Sequence, residues 1–446
     1  MNRERKRSPR QLAHHAISRI EGEGAYTDIV LSHVLEHSRL PEKDRAFINE
    51  LVRGVIRWKL YLDWIVGQLF TGNPNNMPHP VRWLLWMGMY QIEFLNVPEF
   101  AAVNESVQLC KSLKQFKWQG VVNGILRSYL RGSPKIRFPD AAQKPVLYLS
   151  VTTSHPEWLV QRWIHEFGVE STKQLCSANN ATPILTVRPN LRRLSFDDFR
   201  NKLESHAVEF NVSTVPGFFR ILSMPATLRH RLLSDGLMVV QDESAGLVGL
   251  LAQPQPGDTV LDLCAAPGGK STHVATLCSD RCRVVSGDIN IKRIRLLQNT
   301  IATLGLQHVH TIAADALHFP ANSADVVLLD APCSGLGVLQ KKPDIRWKRQ
   351  AHDIHELSKL QLRMLKHAAE LVKEKGRLIY STCTIEREEN EAVIEQFIKQ
   401  HPEFTIEHAA NASIPQPFIT KDGFIRTFPH LHGMDGSFAA RLTKRW

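Results

Sequence analysis

Residues 261–270 read Leu-Asp-Leu-Cys-Ala-Ala-Pro-Gly-Gly-Lys, a short apolar run that passes directly into a turn of small residues. Small residues let the backbone approach a ligand closely, and the free amide groups at the start of a following helix attract polar groups. The turn lacks the G-x-G-x-x-G pattern of dinucleotide-binding enzymes, which argues against a dehydrogenase. We therefore predict a strand, a ligand-binding loop and a helix here, in that order.

The surrounding sequence repeats this strand-and-helix alternation. Short apolar runs, separated by helical stretches, occupy residues 260–264, 284–288, 310–314, 325–330 and 377–382. Runs of this kind are typical of parallel strands covered by helices on both faces. We predict an α/β, Rossmann-like domain over residues 235–446, with a ligand crevice at the carboxyl ends of its strands.

The first part of the chain follows a different pattern. Apolar residues recur at helical spacing over residues 1–140, which predicts an all-α domain. Residues 131–145 contain one glycine and three prolines and are typical of a linker. Residues 141–234 mix helical and strand-like stretches, so we predict a small α+β connector there.

Charge points towards a polyanionic partner. The 446 residues carry a formal net charge of +11, and seven basic residues but no acidic one lie between Ser106 and Arg137. A basic surface favours nucleic acids through counterion release. A solvated helix face explains the same pattern equally well.

Composition also bears on the compartment. No apolar run approaches the roughly 18 residues of a membrane span. The basic arm Met1–Arg10 is not followed by the apolar core of a signal peptide. Because the seven cysteines are few and scattered, we expect free thiols and a cytoplasmic protein.

Carboxylates stand at the ends of three predicted strands. Asp288 lies 20 residues after Gly268, where an acid suits a ribose diol. Asp315 follows the third strand and could face an adenine amine, and Asp330 ends the fourth. Such a set suits a nucleoside ligand, although each aspartate alone could be a helix cap or a turn residue.

Two cysteines directly follow neighbouring strands. Cys333 follows Asp330-Ala-Pro, and Cys383 follows Ser381-Thr. We expect their thiols to meet beside the cofactor loop, the alternative being two buried structural cysteines. Cys278 and Cys282 are spaced C-x3-C, yet no second pair at zinc spacing exists, so we predict no metal site.

These motifs resemble those of the S-adenosylmethionine-dependent RNA cytosine-carbon-5 methyltransferases. The resemblance implies that S-adenosyl-L-methionine is bound by the loop and by three aspartates, namely Cys264, Ala265, Ala266, Pro267, Gly268, Gly269, Lys270, Asp288, Asp315 and Asp330. It implies that Cys383 is the nucleophile and that Cys333 assists product release. It also implies that Asp330 binds the edge of the target nucleobase. DNA cytosine methyltransferases attack with the Pro-Cys thiol instead, so the second cysteine favours RNA.

The chemistry explains why a thiol is needed. Carbon 5 of cytosine is a poor nucleophile, and a thiolate that adds to carbon 6 shifts electron density onto carbon 5. Such covalent catalysis divides one difficult step into easier ones. The thiolate must be populated near neutral pH, which requires a nearby cation or a helix N-terminus.

The resemblance extends along most of the chain. Residues 40–58 and 102–127 look like a NusB-type RNA-binding domain, and the whole resembles bacterial 16S ribosomal RNA cytosine methyltransferases with such a domain. Basic residues near an aromatic suit phosphate contact and base stacking, which suggests RNA contacts at Lys341, Lys342, Arg346, Lys348, Arg349, Lys111, Lys114 and Lys117. The alternative for residues 337–349 is an ordinary exposed loop.

We therefore expect a monomeric enzyme that methylates one cytosine of 16S rRNA, free or in a small-subunit precursor. The target base must leave its stack, so a single-stranded or loosened region is the expected substrate. Three other functions stay open: a tRNA cytosine methyltransferase, a DNA cytosine methyltransferase, and a non-catalytic RNA-binding or antitermination factor.

Overall fold

The chain folds into two compact units in a computed structural model that describes residues 7–36 and 40–446. Residues 1–6 of the predicted basic arm lie outside the described residues. One unit comprises the chain up to Asn180 together with residues 341–348, and the other comprises residues 181–340 and 349–446. These units divide the chain differently from the predicted domains, since residues 141–180 of the predicted connector belong to the first unit.

The first unit is helical, as the sequence predicts. Its helices up to Asn180 are α1 (Pro9–Gly22), α2 (Thr27–Glu36), α3 (Glu42–Leu69), α4 (His79–Phe94), α5 (Glu99–Ser112), α6 (Gln119–Leu130), α7 (Pro145–Thr153), α8 (Glu157–Phe167) and α9 (Val169–Asn180). Ser8 and Gln11 form a capping box that starts α1. Leu51, Val55 and Leu62 of α3 lie in the apolar core, because their spacing places them on one face of the helix.

Residues 341–348, which we name the return segment, pack within this helical unit. The Asp344 carboxylate accepts a hydrogen bond from the amide of Thr27 at the start of α2, at 3.0 Å. The indole Nε1 of Trp347 donates to the carbonyl of Ile56 at 2.7 Å. The return segment therefore contributes hydrogen-bonding groups and apolar surface to the helical unit. All other residues of that unit lie at least 160 positions earlier in the chain.

The second unit begins with a small α+β connector, also as predicted. Its elements are β1 (Leu185–Pro189), α10 (Phe196–Ser205), β2 (Glu209–Val212), β3 (Phe219–Ser223), α11 (Ala226–Ser234) and β4 (Met238–Val240). The strands form an antiparallel sheet in the order β2-β3-β1-β4. Val187, Phe219 and Ile221 of this sheet share a core with Phe199 and Leu203 of α10.

The remaining chain forms a larger mixed sheet with its helices. These elements are α12 (Glu243–Ala252), β5 (Thr259–Asp262), α13 (Gly269–Leu277), β6 (Arg283–Asp288), α14 (Ile291–Leu304), β7 (Val309–Ala313), β8 (Ala324–Asp330), α15 (Ile345–Lys348, within the return segment), α16 (Ala351–Glu370), β9 (Val372–Thr382), α17 (Glu391–Gln400), β10 (Phe404–Glu407), β11 (Ile425–Thr427), α18 (Pro429–His432) and β12 (Ser437–Lys444). The strand order is β10-β12-β9-β8-β5-β6-β7, with β11 paired to β12. All five predicted strands are present, with ends shifted by a few residues.

The sheet is not purely parallel. Strands β9, β8, β5, β6 and β7 pair in parallel, whereas β12 pairs antiparallel with β9 and β10 pairs antiparallel with β12. Phe438 and Leu442 of β12 pack on one face of the sheet and Ala439 on the other. A strand covered on both faces completes the sheet at this edge.

Two further sequence expectations meet the structure here. Cys278 and Cys282, expected as free thiols, pair as a disulfide at the end of α13, because the C-x3-C spacing brings their Cα atoms to 6.1 Å. Among residues 7–36 and 40–446, no helix has the length and apolar character needed to cross a bilayer. The same residues contain no cluster of three or more His, Cys, Asp or Glu side chains that could hold a metal ion.

A substitution tests whether the return segment is part of the helical core. We expect Trp347→Ala to destabilise the helical unit by about 3 kcal/mol, because the indole packs on the core and donates to Ile56. This loss lowers the melting temperature, followed by far-ultraviolet circular dichroism, by roughly 6–12 °C. The matched control is Lys342→Ala, an exposed position of the same segment. Equal melting temperatures for both variants and the wild type would make the segment an ordinary surface loop.

Candidate active site

The order of the parallel strands creates a crevice next to β5. The chain proceeds from β5 to β6 and β7 on one side, and then returns to β8 and β9 on the other side. At such a switch point the loops at the carboxyl ends of the two central strands diverge and leave space for a ligand. The loop 263–268 and the Pro-Cys turn both leave the sheet at this point.

The loop 263–268 is held by backbone hydrogen bonds to both neighbouring strands. The amide of Leu263 donates to Leu328 of β8 at 3.0 Å, and that of Ala265 donates to Gly287 of β6 at 2.7 Å. Gly268 has φ +107°, and a Cβ atom there would overlap the side chain of Leu297. The loop therefore requires glycine directly before α13, whose first amide groups have no partner within the helix.

Asp262 is a site residue that the sequence analysis did not single out. Its carboxyl group is 1% exposed, and one oxygen accepts a hydrogen bond from the Ser271 hydroxyl at 2.6 Å. Burial raises the pKa of Asp262 to about 6. Its Oδ1 atom has no hydrogen-bond partner among the described residues. The position of this aspartate at the end of the first strand of the sheet was the signal available in the sequence.

The two other predicted ribose and adenine carboxylates follow β6 and β7. Asp288 is buried, accepts from the amide of Asn290 at 2.9 Å, and pairs with the half-exposed Arg293 guanidinium at 2.9 Å. Arg293 also donates to the carbonyl of Ala266, so it links Asp288 to the loop. Asp315 accepts from the amide of Leu317 at 2.9 Å. Each aspartate thus organises its own turn, and each also stands at a carboxyl end of the sheet.

An ion pair joins the loop side of the crevice to β8. The Lys270 ammonium lies 2.7 Å from Asp330 Oδ2, and Asp330 Oδ1 accepts from the Ser381 hydroxyl of β9 at 2.8 Å. Burial alone would lower the pKa of Lys270, but the charges of Asp330 and Cys383 outweigh it and raise the pKa above its usual value. Lys270 is therefore a cation, and its charge favours the thiolate form of Cys383.

The two strand-end thiols meet. The sulfur atoms of Cys333 and Cys383 lie 3.3 Å apart, and the Cys383 amide donates to Cys333 Sγ at 3.4 Å. The hydrogen bond with Cys383, followed by burial, raises the pKa of Cys333 well above its usual value. Cys333 therefore retains its proton at neutral pH. The arrangement gives one thiol that can donate a hydrogen bond and one that can receive it beside a lysine.

A buried carboxyl group ties the two cysteine turns together. Glu389 Oε1 accepts from the Ser334 amide at 2.8 Å and from the Gln361 amide group at 2.9 Å, while Oε2 accepts from the Ser334 hydroxyl at 2.5 Å. The Ser334 hydroxyl also lies 2.8 Å from that of Thr384, which follows Cys383. Burial raises the pKa of Glu389. Sequence analysis did not single out Glu389, because its partners lie 28 and 55 residues away in the chain.

Arg349, predicted to contact RNA, has partners inside this site. Its Nε donates to the carbonyl of Ser334 at 2.9 Å and its Nη2 to that of Cys333 at 3.2 Å. The guanidinium thereby fixes the backbone of the Pro-Cys turn. Arg349 therefore supports this turn, and its contact with RNA stays a prediction.

The structure corrects one predicted RNA contact in the return segment. The Arg346 guanidinium is fully buried and donates to the carbonyl of Ser154 at 3.1 Å and to the side chain of Asn180 at 2.8 Å. Lys348 is half-buried and donates to the carbonyls of Gly24 and Ala25, at 2.5 and 2.9 Å. Its contact with RNA stays a prediction.

The five other lysines predicted to contact RNA are accessible to solvent to different extents. Lys342 is exposed and Lys341 is half-buried in the return segment. Lys111, Lys114 and Lys117 are all exposed in the helical unit. These five lysines stay predicted contacts.

Comparison with known families agrees with this architecture. Residues 249–443 match the family model of 16S rRNA methyltransferase RsmB/F. Residues 7–131 match the NusB family, and residues 155–221 match the ferredoxin-like domain of RsmF/B-like methyltransferases. The NusB match thus lies in the helical unit, the ferredoxin-like match spans α8, α9 and most of the connector, and the RsmB/F match covers most of the mixed-sheet domain.

Similarity to individual proteins covers the whole chain. The probable ribosomal RNA small subunit methyltransferase B of Bacillus subtilis is 34% identical over 450 residues, which cover 99% of this chain and 100% of that protein. The solved protein PH0851 superposes with a TM-score of 0.80 at 24% identity, covering 98% of this chain and 99% of its own. NSun6 from Pyrococcus horikoshii, solved with SFG, superposes at 0.58 and 20% identity, covering 65% and 98%.

Fold and family together define an S-adenosylmethionine-dependent RNA methyltransferase. The chain belongs to the ribosomal RNA small subunit methyltransferase B family.

The residues of the crevice fit S-adenosylmethionine. The ligand carries an ammonium group, a sulfonium and a ribose diol, all of which seek acceptors or negative charge. The buried Asp262 Oδ1 lacks a partner among the described residues and provides an acceptor. Asp288 provides a second carboxylate, and the loop 263–268 provides close backbone approach. The donor and acceptor groups of the site therefore complement this cofactor.

A binding measurement tests the contribution of Asp288. We expect Asp288→Ala to weaken S-adenosylmethionine binding by roughly 10- to 100-fold in calorimetry, because the loss of a charge-assisted hydrogen bond costs about 1.5–3 kcal/mol. The control is Asp422→Ala, an exposed aspartate in a turn of the same unit. Unchanged affinity of the Asp288 variant would remove this residue from the cofactor site.

Proposed function

We propose that the protein transfers the methyl group of S-adenosyl-L-methionine to carbon 5 of one cytosine in 16S rRNA, through a covalent adduct with Cys383. The observation that carries the proposal is the pair of sulfur atoms 3.3 Å apart beside the Lys270–Asp330 ion pair. A single structural thiol would need neither a second sulfur nor a half-buried cation in its electrostatic surroundings.

Lys270 and Cys383 would start the reaction. The lysine charge stabilises the Cys383 thiolate, which adds to carbon 6 of the flipped base and forms a carbon–sulfur bond. Electron density then moves to carbon 5. The bound cofactor supplies an electrophilic methyl group for that carbon.

Asp330 and Cys333 would serve the base and the release step. Asp330, held by Lys270 and Ser381, would accept from the exocyclic amine of the cytosine and stabilise charge at ring nitrogen 3. A general base then takes the proton from carbon 5, and the electron pair of that bond forms the double bond between carbons 5 and 6. The bond between Cys383 and carbon 6 breaks, its electron pair returns to the Cys383 sulfur, and the product is free. Cys333, which keeps its proton and lies next to Cys383, would assist this step by donating a hydrogen bond to the departing sulfur.

The exposed lysines of the helical unit support an RNA substrate. We propose the exposed Lys111, Lys114, Lys117 and Lys342 and the half-buried Lys341 as phosphate contacts, since basic side chains within reach of solvent position nucleic acid backbones. The protein would act as a monomer in the cytoplasm, on free rRNA or a small-subunit precursor.

Two cysteine variants test the assigned roles. We expect Cys333→Ala to accumulate a covalent RNA–protein adduct, visible as a slow band on a denaturing gel, because bond formation at Cys383 continues while release is impaired. Cys383→Ala should give no adduct and no methyl transfer. Cys110→Ala, in the helical unit, is the control and should behave as the wild type. The reverse pattern would exchange the two roles.

Substrate class and position need a separate measurement. We expect labelled S-adenosylmethionine to transfer its methyl group to 16S rRNA and not to separated tRNA or DNA. Bisulfite sequencing of rRNA from cells that lack the protein should show one cytosine without carbon 5 methylation. Transfer to tRNA or DNA would reassign the substrate. Full cellular function of a Cys383→Ala protein would support a non-catalytic RNA-binding factor.

A further inference from the structure

The helical unit contains an open groove between α5 and α6. The groove has a volume of about 610 Å³ and is lined by Glu99, Phe100, Val103, Asn104, Val107, Gln119, Gly120, Asn123, Arg127 and Leu130. Sites of small organic ligands commonly have 300–1,000 Å³. Most of these residues lie within residues 102–127 of the NusB-type resemblance, and the proposed reaction does not use them.

An aromatic side chain and two amides face this groove without protein partners. The Phe100 ring is 79% exposed, although phenylalanine is normally buried. The side-chain amides of Asn104 and Asn123 make no hydrogen bond within residues 7–36 and 40–446. An exposed ring offers a stacking surface, and a free amide can both donate to and accept from the edge of a nucleobase.

Positive charge lies at both ends of the groove. Helices α5 and α6 are joined by the short connection 113–118 and run antiparallel. Lys111 and Lys117 therefore stand near the end formed by Val107 and Gln119, and the exposed Arg127 stands near the other end. Glu99, in the first turn of α5, is the acidic residue among the groove-lining side chains. Phosphate groups on either side of a bound base would meet these cations.

We propose that this groove binds unpaired nucleotides of the RNA substrate, with one base stacked on Phe100 and read by Asn104 and Asn123. The inference rests on the proposed RNA substrate, and it names a second place where that RNA is held. Single-stranded RNA is favoured over a protein partner because free amides beside an exposed ring, flanked by cations, match a base between two phosphates.

Two glycines of α6 provide a matched test. A Cβ atom at Gly120, which lines the groove, or at Gly124, which does not, would meet no atom within 4 Å. A larger side chain can therefore start at both positions without overlap, and leucine favours the helix more than glycine does. Gly120→Leu therefore fills the groove, whereas Gly124→Leu changes the same helix outside it.

The measurement is the affinity of the full chain for a fluorescein-labelled single-stranded RNA of mixed sequence, by fluorescence anisotropy. We expect Gly120→Leu and Phe100→Ala each to weaken binding about tenfold, since stacking on one aromatic ring is worth that much. Gly124→Leu should bind as the wild type, and all variants should keep the wild-type melting temperature. A duplex RNA of the same length should show no difference between the two leucine variants.

Other outcomes overturn the proposal. If Gly120→Leu binds the single-stranded RNA as tightly as the wild type, the groove does not bind RNA and is the site of a protein partner or of no ligand. Equal loss in both leucine variants would assign the effect to the helix, and failure of the wild type to bind single-stranded RNA would exclude the site. One more measurement separates charge from stacking. In the double variant Lys111→Gln and Lys117→Gln, the affinity should depend less steeply on salt concentration than in the wild type, whereas Gly120→Leu should keep the wild-type salt dependence.

The RNA-binding test gives a result that is independent of whether the proposed methyl transfer occurs. Binding is measured without methyl transfer, so loss of cytosine methylation leaves the anisotropy result valid. Conversely, a groove that binds no RNA leaves the adduct formed by Cys333→Ala unaffected at saturating RNA.

Discussion

The parallel pairing of β8 with β9 is the constraint on which the site depends. Asp330 lies opposite Ser381 in this register, so the turns that follow leave the sheet side by side. A shift by one residue would turn each side chain to the opposite face of the sheet. The 3.3 Å distance between the two thiols is therefore a consequence of sheet register, reinforced by the Ser334–Glu389–Thr384 hydrogen bonds.

Charge in the crevice is arranged around one lysine. Lys270 is the cation among Asp330, Asp262 and Cys383, and each of these groups raises its pKa. Buried charges are costly unless they are paired, and the Asp330 ion pair offsets that cost here. The negative charge of a Cys383 thiolate would be attracted by the positive charge of Lys270. The electrostatics of the fold thus favour the ionised form of that cysteine.

The return segment shows how a charged stretch can belong to a core. Residues 341–348 directly precede Arg349, which holds the Pro-Cys turn, yet they fold as part of the helical unit. Asp344, Arg346 and Lys348 bind backbone amides and carbonyls, as charged side chains do when they occupy the ends of helices and turns. The helical unit is consequently discontinuous in sequence.

The sequence by itself determined the local elements and the family. Apolar runs of fixed length marked the parallel strands, and small residues after Asp262 marked the cofactor loop, because both features depend on neighbours in sequence. The positions of Cys333 and Cys383 at two strand ends were sufficient to predict their meeting. Only the tertiary structure decided that Arg346 is buried, that Glu389 joins two turns, and that β12 pairs antiparallel with β9. These features depend on partners 50 or more residues away, and composition cannot distinguish a charge bound to a distant carbonyl from one in water.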